Sequence, residues 1–351
     1  MKLFKDIIAY SLKERASDIH LGVGYLPAVR IDGKICFVDK FPLLTAEDMK
    51  EVCAFIFGER EQARFETGYE VDFAFSYEGQ ARFRANVYRE RQGINLALRY
   101  LPEIVPKLGS FDIISPFEDV MTKLAMQPHG LLLVTGPTGS GKSTTLAALI
   151  DIINEKLHEH IITIEDPIEY IYKSKLCLIK QREVGEGEDS PSFPHALRAA
   201  LREDPDVILV GEMRDRETMS LAITAAETGH LVLSTVHTSN TYQAINRIVD
   251  VFPAEQQDQI RAQLSQNLIA VVAQRLIPKI NGGRIAAFEI LISNSAVKQQ
   301  IRDNNIQMIL NTIKTSRKQG MILLEDYLKL LIEKKLIEPA VAQRFLVNQT
   351  P

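Results

Sequence analysis

Leu131-Leu132-Leu133-Val134-Thr135-Gly136-Pro137-Thr138-Gly139-Ser140-Gly141-Lys142-Ser143-Thr144 is the stretch that decides the fold. Its first four residues predict a short buried strand. Gly136 to Thr144 then fit G-x-x-x-x-G-K-[ST], and an apolar helix, Leu146 to Ile153, follows. The order strand, Gly-rich loop, helix suits phosphate. Glycines let backbone N–H groups curl around oxygens, and the helix N-terminus adds its dipole. Gly136, Pro137, Thr138, Gly139, Ser140, Gly141, Lys142, Ser143 and Thr144 are therefore the expected nucleotide-binding residues. Lys142 is expected to reach the outer phosphates, and the Ser143 hydroxyl to ligate Mg²⁺.

Two further apolar strands end in acids. Ile161-Ile162-Thr163-Ile164 leads into Glu165-Asp166-Pro167, and Val207-Ile208-Leu209-Val210-Gly211 leads into Glu212. In an open parallel sheet the C-terminal strand ends line the ligand crevice, which brings both acids toward the loop. Gly211 stands where an Asp usually holds the metal. Glu212 is then the candidate for holding Mg²⁺ through water, and Glu165 for polarising the attacking water; the reverse assignment also fits. Gly229 to Thr238 read as another strand with a histidine at each end. His237 lies at the crevice end, where an imidazole can sense a terminal phosphate or orient water. His230 lies at the other end, so a direct role is harder to derive.

Working outward, the first hundred residues read as one small α+β unit. Leu3, Phe4, Ile7, Ile8 and Leu12 share a helical face. Asp18 to Val23 and Ala28 to Val38 read as strands with a turn at Asp32-Gly33. Thr45 caps a second helix expected to end at Gly58. Val71, Phe73, Phe75 and Tyr77 alternate, as do Ala81, Phe83, Ala85 and Val87, and then Ile94, Leu96, Leu98 and Tyr100. The strand period of two puts Arg82, Arg84 and Arg99 on the open face of this sheet. Such arginines are candidates for completing a phosphoryl-transfer site in trans. Pro102, Pro106 and Gly109 mark a linker. The expected division is 1–100, a linker over 101–114, an α/β core with a mostly parallel sheet over 115–293, and a helical region over 294–351.

The chain has 351 residues, of which 46% are hydrophobic and 25% charged, so wholesale disorder is excluded. The net charge is −4 and there is no Trp, which argues against a nucleic-acid translocase with a basic, aromatic-lined groove. Cys36, Cys53 and Cys177 are too scattered for a metal knuckle and read as reduced thiols. No apolar run approaches a membrane span, and the charged N-terminus does not read as a signal peptide. A cytoplasmic protein, peripheral to any membrane, is expected.

ASDIHL (16–21), GPTGSGKST (136–144), TIEDPIEY (163–170), ALREDPDVILVGEMRD (200–215) and TAAETGHLVLSTVHT (224–238) stand in this order. Together they closely resemble the type IV pilus retraction ATPases, the PilT family of secretion-superfamily motors, over essentially the whole chain. The resemblance implies a PAS-like N-terminal domain, a RecA-like P-loop core with C-terminal helices, and a homo-hexamer using ATP and Mg²⁺. It implies that Glu165 is the general base, Glu212 the Walker B glutamate, and Arg82, Arg84 and Arg99 the arginines of the N-terminal sheet. His230 and His237 fall in its His box. The implied partner is the inner-membrane platform protein of the pilus machine, with peripheral placement at the inner face of the cytoplasmic membrane. No nucleic acid is expected. Pilus assembly and type II secretion ATPases, or an accessory retraction motor, are the nearest alternatives. Two stretches depart from the family's usual form: Val184 to Pro194 is longer and more acidic, and Ala296 to Asp303 matches loosely.

Overall fold

Alternation of apolar residues builds the first sheet. The computed structural model describes residues 1–31, 33–68, 70–102, 104–185 and 188–347. One unit holds Met1–Ile104 together with Pro167–Ile171, and a second holds the rest. In the first unit, α1 (Lys2–Lys13) precedes β1 (Asp18–Gly22), β2 (Ala28–Ile31) and β3 (Lys34–Phe37). Helices α2 (Ala46–Ile56) and α3 (Glu59–Thr67) follow, then β4 (Glu70–Tyr77), β5 (Ala81–Glu90) and β6 (Gly93–Leu101). The sheet order is β3-β2-β1-β6-β5-β4, antiparallel throughout. Ile19, Phe83, Ala85, Val87, Leu96 and Leu98 turn one face inward and pack with Phe4, Ile7 and Ile8 of α1 and Met49 and Val52 of α2. The other face carries a row of charge. Arg84 pairs in register with Arg99, Arg99 with Asp18, and Asp18 with Arg30.

One boundary differs from the expectation. Helix α2 has the expected Thr45 cap, closed reciprocally by Asp48, but it stops at Ile56. Gly58 instead opens α3, its N–H donating to Glu61 Oε2 at 2.9 Å. Helix α3 buries only Phe65, so its sequence carries no periodic apolar signal. The Glu78-Gly79 turn has φ of 47° and 67°, the left-handed pair a tight hairpin needs. The other expected turn includes Asp32, which lies outside the described residues.

The second unit runs α4 (Phe117–Ala125), β7 (Gly130–Thr135), α5 (Lys142–Lys156), β8 (His160–Glu165), β9 (Leu178–Glu183) and α6 (Phe193–Ala200). Then come β10 (Val207–Val210), α7 (Arg216–Glu227), β11 (Leu231–Val236), α8 (Thr241–Asp250) and α9 (Ala254–Asn267). The hairpin β12 (Leu268–Pro278) and β13 (Arg284–Ile292) follows, and then α10 (Ser295–Arg302), α11 (Ile309–Thr315), α12 (Leu324–Glu333) and α13 (Pro339–Val347). The sheet order is β13-β12-β7-β11-β10-β8-β9, with neighbours parallel except β12 and β13. Every residue of β7 and β11 is buried, as expected of central strands covered on both faces. Val297, Ile301, Ile306, Ile309 and Ile313 join the core cluster that covers one face. Strand β7 lies between β12 and β11, whereas β8, the next strand in the chain, lies beyond β10. That change of direction opens a crevice at the C-terminal strand ends.

Candidate nucleotide site

The loop after β7 is shaped by three left-handed glycines. Gly136, Gly139 and Gly141 have φ of +153°, +77° and +85°. Gly141 occupies the N-cap position of α5, and no side chain caps that helix. Its first turn is thus available to an anion. A Cβ on Gly139 would meet nothing within 4 Å, so the loop is open there. Ser140 Oγ is buried without a hydrogen-bond partner. Lys142 is buried, and its Nζ donates to Gly136 O at 3.0 Å and Pro137 O at 3.1 Å. Pro137, Thr138 and Ser143 are exposed, and Thr144 is half-buried. An open concave loop, a buried ammonium and an uncapped helix start fit a polyphosphate. Ser143, exposed on the first turn, fits a hard cation beside it.

Glu165 ends β8 and is 8% exposed, which is unusual for a carboxylate. Its Oε1 accepts from Thr163 Oγ1 at 2.7 Å and Gln181 Nε2 at 3.3 Å. Gly211 continues β10 directly beside it, its N–H donating to Ile164 O at 2.8 Å. The next residue, Glu212, is held on Oε2 by Arg214 Nε at 2.7 Å and His237 Nε2 at 3.2 Å. His237 follows the last residue of β11. The Thr135 hydroxyl ties that strand end to β7, accepting from Thr238 N–H at 3.0 Å and lying 3.0 Å from Val236 O. The structure therefore gathers the loop, Glu165, Glu212 and His237 at one end of the sheet.

It does not gather His230. That residue precedes β11, roughly 20 Å along the strand from His237. Its Nδ1 is 2.9 Å from Ala225 O at the end of α7. The ring anchors the start of β11 to the end of α7, at the sheet end away from the loop.

Arg82, Arg84 and Arg99 share the open face of the N-terminal sheet, as strand alternation predicts, and each has a partner within that unit. Arg82 Nη1 donates to Ile168 O at 2.6 Å. Arg84 grips Asp72 through Nε and Nη2. Arg99 Nε donates to Asp18 Oδ1 at 3.0 Å. Burial would raise the Asp18 carboxyl, but the Ser17 hydroxyl and the Arg99 and Arg30 guanidiniums outweigh it and hold it below the usual carboxylate range.

Sequence reasoning missed several groups that position these residues: Gln181 on Glu165, Arg214 on Glu212, and Gln274 of β12 against the loop. Glu289 of β13, buried, accepts from Thr241 N at 2.9 Å and Oγ1 at 2.7 Å and so fixes the start of α8. Among these, Arg214 had a signal, two residues after a site glutamate; Gln181, Gln274 and Glu289 come from other strands, 16, 134 and 48 positions from the groups they hold. Beside the loop lies a cavity of about 240 Å³ lined by Phe111, Gly141, Thr144, Gln274, Leu276 and Lys279 among others.

The type II/IV secretion system protein family matches residues 1–283. The chain is 46% identical over 338 residues to the type IV pilus retraction ATPase PilT of Pseudomonas aeruginosa, covering 95% of this chain and 94% of that protein. It is 44% identical over 323 residues to a twitching motility protein of Neisseria gonorrhoeae, covering 92% and 84%. The crystal structure of the pilus retraction motor PilT with bound ADP superposes with a TM-score of 0.89 at 47% identity, covering 97% of this chain and 96% of that one. The chain belongs to the type II/IV secretion system protein family and, within it, to the PilT family of type IV pilus retraction ATPases.

Proposed function

We propose that this chain hydrolyses ATP with Mg²⁺ to power type IV pilus retraction, as a ring of six copies working against the platform protein at the inner face of the cytoplasmic membrane. The observation that carries the catalytic part is an uncapped helix start with buried Lys142 at the same end of one parallel sheet as two strand-end carboxylates, Glu165 and Glu212. Lys142 and the loop amides bind the phosphates. The apolar wall of the neighbouring cavity, Phe111 and Leu276, suits a nucleobase. Ser143 and Glu212 would hold Mg²⁺, Glu212 through water; when bound, the cation screens the phosphate oxygens. Glu165, oriented by Thr163 and Gln181, takes the proton of the attacking water. His237 keeps the Glu212 carboxylate in place, and His230 acts from a distance through β11 and α7. Steady-state phosphate release by the purified protein tests this. Mg²⁺-dependent turnover is expected; nucleotide binding without turnover would leave only a regulatory module.

Gly211 lets the two acidic strand ends lie side by side. A Cβ there would stand 3.2 Å from Ile164 O and 3.4 Å from Glu165 Cα. Gly211→Ala is expected to lower kcat about tenfold, because displacement of a catalytic group by a fraction of an ångström is costly. Nucleotide affinity should stay within about twofold, since the loop is untouched. Parallel measurements of turnover and binding check the split.

Arg82, Arg84 and Arg99 are proposed to complete the nucleotide site of a second copy, exchanging their present partners for phosphate oxygens. Turnover per chain should then rise with protein concentration, because the site is complete only in the assembled ring. At least one of Arg82→Ala, Arg84→Ala and Arg99→Ala should lose more than about tenfold in kcat while staying folded. Three variants at wild-type rate would reduce these arginines to a paired sheet face.

A further inference from the structure

Gln274 is 3% exposed in a largely apolar strand, and both ends of its amide are engaged. Nε2 donates to Ser140 O at 2.7 Å, and Oε1 accepts from Thr145 Oγ1 at 2.6 Å. The orientation is fixed by chemistry, because the flipped amide would set two acceptors, its own oxygen and Ser140 O, against each other. Thr145 is fully buried, so neither partner has water to turn to. The strand register brings Ala273 level with Thr135 and so Gln274 alongside Gly136. A Cβ on Gly136 would lie 2.4 Å from Gln274 O, and one on Gly141 would lie 2.9 Å from Gln274 Nε2. Both glycines that bracket the phosphate loop are therefore also glycines that Gln274 approaches too closely for a side chain.

The consequence for the loop follows from peptide planarity. In a trans peptide the C=O and N–H point in opposite directions. Holding Ser140 O toward β12 turns the Gly141 N–H away from β12. The second bond fixes Thr145 in the first turn of α5, whose N–H groups face the same ligand.

We propose that Gln274 is a positioning residue of the nucleotide site: it sets the Ser140–Gly141 peptide plane and the first turn of α5 so that their amides are pre-aimed at phosphate. The proposal rests on the nucleotide reading above and assigns to β12 the upkeep of the loop. Lys142 and the loop supply the phosphate contacts, and Gln274 acts on the phosphates through the loop.

The test uses the full-length protein, with fluorescent ADP for affinity, phosphate release for kcat and KM, and thermal melting for stability. Gln274→Met keeps the shape and removes both bonds. It is expected to raise the ADP Kd and the ATP KM about tenfold at temperatures well below its melting point. Gln274→Glu keeps the acceptor for Thr145 but opposes two oxygens at Ser140, and should weaken ADP at least as much. Thr145→Ser retains the hydroxyl and should stay within about twofold of wild type, while Thr145→Val should resemble Gln274→Met; the double variant should be no worse than Gln274→Met alone. A lower melting point with unchanged Kd and KM in Gln274→Met would make the residue merely structural and overturn the proposal. If that variant does not fold, equal ADP affinities for Thr145→Val and Thr145→Ser would overturn it equally. Wild-type protein that fails to bind ADP would remove the nucleotide reading itself, a separate outcome.

Discussion

Lys142→Ala is expected to abolish ATP turnover and to weaken nucleotide binding roughly tenfold to a hundredfold. The ammonium is buried at the mouth of the loop, bonded to the carbonyls of Gly136 and Pro137, where it is held close to any phosphate the loop admits. Hydrogen bonds to charged groups contribute about 1.5–3 kcal/mol, which sets the binding loss. The turnover loss should be larger, because charge builds on the phosphate oxygens in the transition state and no water-exposed cation can substitute. Phosphate release and analogue binding by the purified variant check both. Near-normal turnover would remove the loop from the mechanism.

Glu165→Gln and Glu212→Gln should each bind ATP and fail to turn it over, with kcat reduced by at least about a hundredfold. The amide keeps the shape and removes the charge. At Glu165 it also keeps a carbonyl oxygen to accept from the Thr163 hydroxyl and Gln181 amide, so the fold should be unaffected. At Glu212 it leaves the guanidinium of Arg214 facing a neutral group. The two variants separate the roles. A raised Mg²⁺ requirement for tight ATP binding is expected of the metal-holding residue, and an unchanged one of the base. A variant that hydrolyses at wild-type rate is struck from the site.

The phosphate loop was legible because its glycines, lysine and serine are forced into one short stretch by local geometry. Glu165 and Glu212 were legible for a related reason: each follows a buried strand, and parallel strands deliver their ends to one crevice. The three arginines were placed on one sheet face by a period of two alone. Their partners Asp72 and Asp18 were not, since that requires the register of β4 with β5 and of β1 with β6. Helix α3 escaped because a helix that buries one phenylalanine has no apolar stripe. Gln274 escaped for the opposite reason. It is a polar residue in a largely apolar strand, and its partner Ser140 lies 134 positions away. Local spacing records chemistry that the backbone performs; it does not record supports that only the folded sheet brings up.

Hydrolysis at this site is expected to withdraw pili. Its most direct test counts surface pili and scores surface motility in a strain whose copy of the protein carries Glu165→Gln. Abundant pili and no motility are expected. A strain without pili would make the protein an assembly motor, and a piliated, fully motile strain would contradict that expectation.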